Sequence, residues 1–340
     1  MKNSIIFISN AIGGIRTFQD TLIRCAIQNN IECILLDQIN HNIKNKKKIR
    51  YFKIKVLDKI SNTLKILINL SNINKLKRSI FIFSNPVIFV IYFFFIKLFF
   101  KNSKIFFFVH SHLTKKKISL IIINYISSIF FIFINRIFYV SKFTKRWWDR
   151  NYFFSKYAKN TIQYNSVNLS EKINSKNKRF SIGFVGRVSR EKGLDKFLDI
   201  AYENRNKFIF KIFSDEKLKK NIKQKKYIKY YYNKNVSTIY RNIDLLLITS
   251  PIENCPYTVL EAKSYGIPTL VYKTKGGINE IVKDNFDGII ISNKKKVRVF
   301  DYIIKIKKNY KFFSSNAFSN SKKFNAKTEV KKLIFDKLLK

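Results

Sequence analysis

The stretch Ser250-Pro251-Ile252-Glu253-Asn254-Cys255-Pro256-Tyr257-Thr258-Val259-Leu260-Glu261-Ala262 comes after the apolar run Asp244–Ile248 and opens a segment of helical character. A short apolar strand that passes through a tight loop into a helix is the building unit of a parallel α/β sheet. The loop places two carboxylates on either side of a helix start, Glu253 before it and Glu261 about one turn inside. A helix N-terminus presents backbone N–H groups and a positive dipole end, which suits a phosphate. A carboxylate just inside the helix accepts two hydrogen bonds and so suits vicinal hydroxyls such as those of a ribose. The same residues also read as a capped surface helix with two solvated glutamates.

The pattern repeats on both sides of this stretch. Upstream, Phe180–Val185 reads as a strand and Leu194–Asn204 as a helix, joined by Gly186-Arg187-Val188-Ser189-Arg190-Glu191-Lys192-Gly193. Arg187 as a planar fork and Lys192 as a point charge could grip a diphosphate, although ordinary surface cations have the same spelling. Further strands are expected at Phe208–Phe213, Tyr227–Tyr231, Thr269–Val271 and Ile289–Ile291. Helices are expected at Ser237–Arg241, Tyr257–Tyr265 and Ile278–Lys283, with a helical tail through Val330–Leu339.

The first half has the same alternation. Its strands are Ile5–Ser9, Ile31–Leu36, Ile80–Phe83, Lys104–Val109, Arg136–Val140 and Thr161–Tyr164, and its helices Arg16–Asn29, Val87–Phe100 and Ile118–Ile134. Residues 41–59 read as a basic, partly amphipathic segment. Asn165–Arg179 is poor in apolar residues and reads as a linker. The fold class is therefore α/β, with two Rossmann-like domains facing a central cleft. The expected division is 1–165, a linker 166–179, 180–305, and a tail 306–340 packing back on the first domain. Ligands in such folds sit at the carboxyl ends of the strands.

Bulk composition narrows the choices. Hydrophobic residues make up 46% and aromatics 16% of 340 residues, enough for two cores and too apolar for global disorder. Lys and Arg number 67 against 21 Asp and Glu, a net charge of +46 that suits a polyanionic partner. The cations are spread along the whole chain, so a uniform coding bias accounts for them as well as a binding patch does. Three cysteines without metal-type spacing favour a reducing compartment over a disulfide framework. Ser79–Phe100 and Ile118–Val140 are long and apolar enough to suggest membrane spans. The first is broken by Ser84-Asn85-Pro86 and Lys97, the second by Asn124, Asn135 and Arg136, which fits strand and helix better.

Two features in the first half bear on chemistry. Gly13-Gly14 comes after the first strand and allows close backbone approach to a ligand, without the full G-x-G-x-x-G fingerprint. His110 stands at the carboxyl end of the strand Lys104–Val109, where a side chain reaches the cleft or settles as a structural histidine. His112 lies further into the loop, and His41 in the basic segment reads as solvated.

Taken together these motifs resemble glycosyltransferase family 4, enzymes of the GT-B fold. Gly186-Arg187…Lys192-Gly193 is similar to the family's diphosphate turn. Glu253…Glu261, with Pro256 and Leu260-Glu261-Ala262, is similar to its two-glutamate motif. Gly266-Ile267-Pro268 and Gly276-Gly277…Glu280 are similar to the family's next two segments. Gly13-Gly14, His110, Ser141 and Asn165 with Val167 give a looser likeness in the first half.

The resemblance implies a retaining transferase that moves a hexose-type sugar from a nucleoside-diphosphate sugar to a glycan or lipid-linked glycan. Such an enzyme has no cofactor and needs no metal, in keeping with the lack of an Asp-x-Asp motif. On that likeness Arg187 and Lys192 hold the diphosphate and Glu261 the ribose. Glu253 faces the sugar hydroxyls, and Pro256, Tyr257 and Thr258 approach sugar and phosphate. His110 lies by the reacting carbon, Gly14 approaches the donor, and Gly13 and Arg16 shape an acceptor-side loop. Catalytic roles fall to His110 and Glu253. The sequence departs from the family pattern at Ser214-Asp215-Glu216 and at Tyr232-Asn233, where glycines are usual, and at Ser166.

Lys142–Lys159 mixes cations with Trp147, Trp148, Tyr152, Phe153 and Phe154, a composition that suits a membrane interface or a helix with a buried aromatic face. The expectation is a cytoplasmic enzyme, peripheral on the inner face of the plasma membrane, in surface polysaccharide or lipopolysaccharide assembly. The alternatives are a GT-B-fold sugar-nucleotide epimerase, and a basic nucleic-acid-binding protein. The second lacks any recognised module, so no nucleic acid is expected as partner.

Overall fold

The computed structural model describes residues 4–9, 13–37, 49–53, 67, 78–110, 118–173, 179–218, 226–291 and 298–339. The chain forms two compact units, Met1–Tyr164 with Ala326–Lys340, and Asn165–Asn325. His41, His112 and most of the basic segment 41–59 lie outside the described residues.

The first unit is a seven-stranded sheet in the order β3-β2-β1-β4-β5-β6-β7. Its strands are β1 (Ile5–Ser9), β2 (Cys33–Asp37), β3 (Ile49–Lys53), β4 (Ile80–Phe83), β5 (Lys104–Val109), β6 (Arg136–Tyr139) and β7 (Asn160–Ile162). Every pairing is parallel. The connecting helices are α1 (Gly14–Gln28), α2 (Pro86–Phe99), α3 (Ile118–Phe130) and α4 (Lys142–Asn151). Strands buried on both faces read as unbroken apolar runs, and β4 is Ile-Phe-Ile-Phe with all four residues buried.

The breaks in the two long apolar stretches are structural punctuation. The Asn85 side chain accepts from the backbone of Val87 at 2.9 Å and caps α2, while Pro86 sits in its first turn. No described helix is long and apolar enough to cross a membrane. Ser141 caps α4 in the same way, accepting from Thr144 N at 3.0 Å. Phenylalanine rings fill the space between helices and sheet. Phe89 meets Phe83 at 5.4 Å and Phe107 at 5.1 Å, and Phe93 stacks on Phe130 at 4.7 Å.

One sequence expectation changes here, and one open alternative is decided. The basic segment 41–59 contains the edge strand β3, which pairs in parallel with β2. An edge strand needs no continuous apolar run and is commonly blunted by cations, so its spelling hides it. In Lys142–Lys159, Trp148 is only 4% exposed and packs against Phe131 and Tyr152 at 5.7 and 4.7 Å. The aromatic face of α4 is core, not interface.

The second unit is a six-stranded parallel sheet in the order β10-β9-β8-β11-β12-β13. The strands are β8 (Ser181–Val185), β9 (Ile209–Ser214), β10 (Ile228–Tyr232), β11 (Leu245–Ile248), β12 (Thr269–Tyr272) and β13 (Gly288–Ile291). Its helices are α5 (Leu194–Asn204), α6 (Val236–Arg241), α7 (Tyr257–Ser264), α8 (Ile278–Ile281), α9 (Val299–Lys308) and α10 (Tyr310–Ser321). Helix α10 packs on α7, and Val167 N donates to Phe324 O at 2.9 Å. Asn165 to Ile173 of the linker stretch thus belongs to this unit.

Under α7 lies a fully buried ion pair. Lys263 Nζ donates to Asp287 Oδ2 at 2.8 Å, with both side chains at 0% exposure. Lys263 also donates to the Ile281 carbonyl, and Asn320 and the backbone N–H of Lys283 complete the shell around Asp287. A buried charge pair is tolerable only when satisfied in this way.

Beyond Asn325 the chain rejoins the first unit. Helix α11 (Ala326–Lys332) and a π turn, Leu333–Leu338, bury Val330, Leu333, Ile334 and Leu338. Lys104 Nζ donates to the Leu339 carbonyl and Lys337 Nζ to Gln163 Oε1, both at 2.9 Å.

Candidate functional site

In each sheet the strand order reverses direction between two neighbouring strands, and it is outside the carboxyl ends of such strands that α/β folds bind ligands. In the second unit the reversal falls between β8 and β11, which pair directly. The turn after β8 carries Gly186, Arg187 and Lys192. The loop after β11 carries Ser250, Glu253, Pro256, Tyr257 and Thr258. Two motifs some sixty residues apart in sequence are thereby set at adjacent strand ends.

The turn is built by two glycines. Gly186 has φ +148°, and Gly193 has φ +71° and caps α5, ending a single 3-10 turn, Arg190–Lys192. A Cβ on Gly193 would collide with the Thr249 carbonyl at the end of β11. Thr249 Oγ1 donates to Gly193 O at 2.8 Å, which locks the two strand ends together. Arg187 stays exposed, 3.5 Å from Glu191.

Lys192 does not stand alone. Its Nζ lies 2.6 Å from Glu253 Oε1, and Ser250 Oγ donates to the same carboxylate oxygen at 2.8 Å. Glu253 is 9% exposed, and its backbone is held by Lys275 O and Ile278 N. On the far side of the loop, Asn165 Nδ2 donates to Cys255 O at 2.7 Å, fixing the approach to Pro256. Pro256 precedes α7, whose first turn contains no acidic residue and no side-chain cap.

Glu261 sits inside α7. The fully buried Tyr240 of α6 donates to its Oε2 at 2.9 Å and lies 3.0 Å from Thr258 O. Burial lifts the Glu261 carboxyl to about 7, with the Tyr240 hydroxyl opposing that rise. Burial likewise pushes the Cys255 thiol up to about 12, which leaves it inert.

The loops that depart from the expected glycines have their own solutions. Asn233 adopts φ +46°, the left-handed conformation a glycine would supply, and its N–H donates to Ser214 O at 2.8 Å. Glu216 Oε2 accepts from Val188 N at 2.8 Å and so pins the turn next to Arg187.

In the first unit, Gly13 has φ +57° and caps α1, Gly14 is its first residue, and Arg16 lies in its first turn. His110 comes directly after β5 at the same carboxyl edge of the sheet, with the Phe18 ring of α1 5.0 Å away. Burial lowers its pKa to about 4, so it is a neutral imidazole at physiological pH. His110, Gly13, Gly14 and Arg16 thus cluster at one edge of the first sheet. Arg187, Lys192, Glu253, Pro256, Tyr257, Thr258 and Glu261 cluster at one edge of the second. Ser250 and Tyr240, the partners of the two glutamates, escaped the sequence reading. Ser250 lies in the deciding stretch and three residues from Glu253, whereas nothing in the spelling links Tyr240 to Glu261.

Comparison with known proteins bears on this arrangement. The chain is similar to the amylovoran biosynthesis glycosyltransferase AmsD of Erwinia amylovora, at 29% identity over 209 residues, covering 54% of this chain and 58% of that protein. It is also similar to an uncharacterized 41.2 kDa protein in the cps region of Klebsiella pneumoniae, at 27% identity, covering 52% and 56%. The aligned stretches thus span little more than half the length of these relatives. Anabaena Alr3699/HepE, solved in complex with UDP, superposes with a TM-score of 0.78 over 98% of both chains at 13% identity, a likeness of fold. The fold is that of GT-B glycosyltransferases, two Rossmann-like domains each with a parallel sheet. Residues 166–323, which carry the Lys192–Glu253 and Tyr240–Glu261 contacts, match the family model Glycosyl transferases group 1.

Proposed function

We propose that the protein is a retaining, metal-independent hexosyltransferase. It moves a sugar from a nucleoside-diphosphate sugar to a glycan or lipid-linked glycan in surface polysaccharide assembly, which includes lipopolysaccharide, and works as a peripheral enzyme on the cytoplasmic face of the plasma membrane. The observation that carries the reading is the pairing of β8 with β11, which sets the Arg187–Lys192 turn beside the Glu253 loop at the switch point of the second sheet. The name of AmsD, a transferase of amylovoran biosynthesis, supports the polysaccharide setting, and the UDP bound to HepE supports a nucleotide donor.

In this reading Glu261 accepts the ribose hydroxyls, and Arg187, Lys192 and the uncapped start of α7 stabilise the departing diphosphate electrostatically. Glu253 and the backbone of Pro256, Tyr257 and Thr258 face the sugar. His110 lies by the reacting carbon, Gly14 approaches the donor, and Gly13 and Arg16 shape an acceptor-side loop. The test is a thermal-shift screen with UDP, GDP, ADP, CMP and their sugar conjugates, beside a Glu261→Ala variant. A ligand at about 100 times its Kd adds about 2.7 kcal/mol of stability. Stabilisation by one nucleoside diphosphate, lost in the variant, supports the reading. A response to generic polyanions alone overturns it. Product configuration by NMR and activity in EDTA then test retention and metal independence.

A further inference from the structure

Helix α3 is inside out. Its buried residues are Asn124, Ser127 and Ser128, while Ile118, Ile121, Ile122 and Tyr125 are exposed. A surface helix ordinarily does the reverse. On the buried side, Asn124 Nδ2 donates to Tyr152 Oη at 3.2 Å and Ser127 Oγ lies 3.4 Å from Pro86 O, while Ser127 and Ser128 also donate to the carbonyls of Ile123 and Tyr125 within the helix. The contacts to Tyr152 and Pro86 hold this polar side against the rest of the unit.

The apolar side continues onto its neighbours. Helix α2 packs alongside α3, and its Ile91, Phe94 and Leu98, at helical spacing, are 40%, 65% and 64% exposed. Phe94 meets Phe130 of α3 at 5.1 Å, and Tyr125 meets Phe154 at 6.1 Å. Beside Phe154, Phe153 and Tyr157 are exposed in their turn, 5.1 Å apart. Isolated exposed apolar residues are ordinary, but a contiguous set on three packed elements marks an interaction site.

Charge selects the occupant. Asp149 is the only acidic residue from Pro86 to Lys159. The exposed cations Lys97 and Lys101 border the apolar side of α2, and Lys156 lies 6.0 Å from the Phe153 ring. A second copy would bring the same cations against these, whereas anionic headgroups above an acyl layer take both the cations and the apolar side chains. We infer that the exposed α2–α3 face and the Phe153–Tyr157 turn are a docking surface for an anionic lipid bilayer. This deepens the proposed peripheral location by naming the surface. It rests on the first unit alone and not on the donor site.

The test is co-sedimentation of the full chain with phosphatidylcholine vesicles with and without phosphatidylglycerol, at about 0.15 M and about 1 M salt. The wild type should bind the phosphatidylglycerol vesicles and keep part of that binding at the higher salt. Leu98→Ser/Ile122→Ser, both at exposed positions, should weaken binding at least about tenfold at either salt with an unchanged melting temperature and nucleotide response. Lys97→Gln/Lys156→Gln should reduce only the salt-sensitive part. The proposal is overturned if the wild type ignores both vesicles or if Leu98→Ser/Ile122→Ser binds as tightly as wild type. It is likewise overturned if sedimentation shows a dimer that this variant dissociates while vesicles are not bound. Failure of the nucleotide screen with vesicle binding intact would count against the transferase reading only.

Discussion

Lys192 Nζ and Glu253 Oε1 are 2.6 Å apart, so two side chains carried by separate strand–turn–helix units are each other's counter-ion. Both are drawn from water, Glu253 more than Lys192, and Ser250 adds a hydroxyl donor to that carboxylate. Removing either partner leaves the other charge poorly compensated next to the strand ends. Lys192→Ala and Glu253→Ala should each destabilise the fold, and the double variant should recover about 1 kcal/mol relative to the sum. Urea unfolding of the four proteins measures this. Additive losses would show that the contact carries no energy of its own.

Glu261 should make stability depend on pH in the opposite sense from an ordinary paired carboxylate. Unfolded, it releases its proton near 4.5; folded, near 7. Between those values the folded chain holds more protons, so this residue's contribution falls as pH rises across the window and is flat above it. Compared with Glu261→Gln, the wild type should lose on the order of 3 kcal/mol between pH 4.5 and pH 7. Chemical denaturation of both proteins at several pH values tests this, and parallel curves would refute the burial of the charge.

His110 should remain neutral far below the usual histidine range. Its folded pKa is about 4 against an ordinary 6.5, because burial disfavours the imidazolium. The unfolded chain therefore takes up a proton that the folded chain refuses, and stability from this residue is lost as pH falls from 6.5 toward 4. The chain has only three histidines. A nitrogen-detected NMR titration with His110→Gln for assignment should show one ring still neutral at pH 5.5, a full unit below the ordinary value. Three rings titrating together near 6.5 would contradict the burial.

The Lys263–Asp287 pair should behave as a structural unit. Because both side chains are wholly buried, Lys263→Met or Asp287→Asn alone should cost about 3–5 kcal/mol. Lys263→Met/Asp287→Leu should cost less than the two single losses combined, since it leaves no buried charge behind. Equilibrium unfolding midpoints decide the matter.

Most of the fold was legible because its strands are buried on both faces and its helices are bounded by recognisable caps. Lys104–Val109 and Leu194–Asn204 coincide with observed elements, and Asn85 and Pro86 announce the start of α2. β3 was hidden because an edge strand lacks the apolar signature. Trp148 was ambiguous because cations and aromatics alternate in the same way at an interface and on a half-buried helix. At the site, the residues with reactive groups stood out, whereas the groups that hold them, Tyr240 for Glu261 and Asn165 for Cys255 O, depend on contacts between distant segments. Asn233 shows the limit of reading departures from a pattern. Its side chain differs from glycine, yet its backbone takes the left-handed turn a glycine would take.

The return of residues 326–339 to the first unit carries a consequence for biosynthesis. Val330, Leu333, Ile334 and Leu338 fill that unit, yet they leave the ribosome only after the whole of Asn165–Asn325 has been made. Domains generally fold as they emerge. Here the earlier-made body must wait with an unfilled apolar groove while the later one is completed, so the order of synthesis and the order of completion are reversed. Chains halted before Ala326 should therefore present a finished second unit beside a first one that is prone to capture by chaperones.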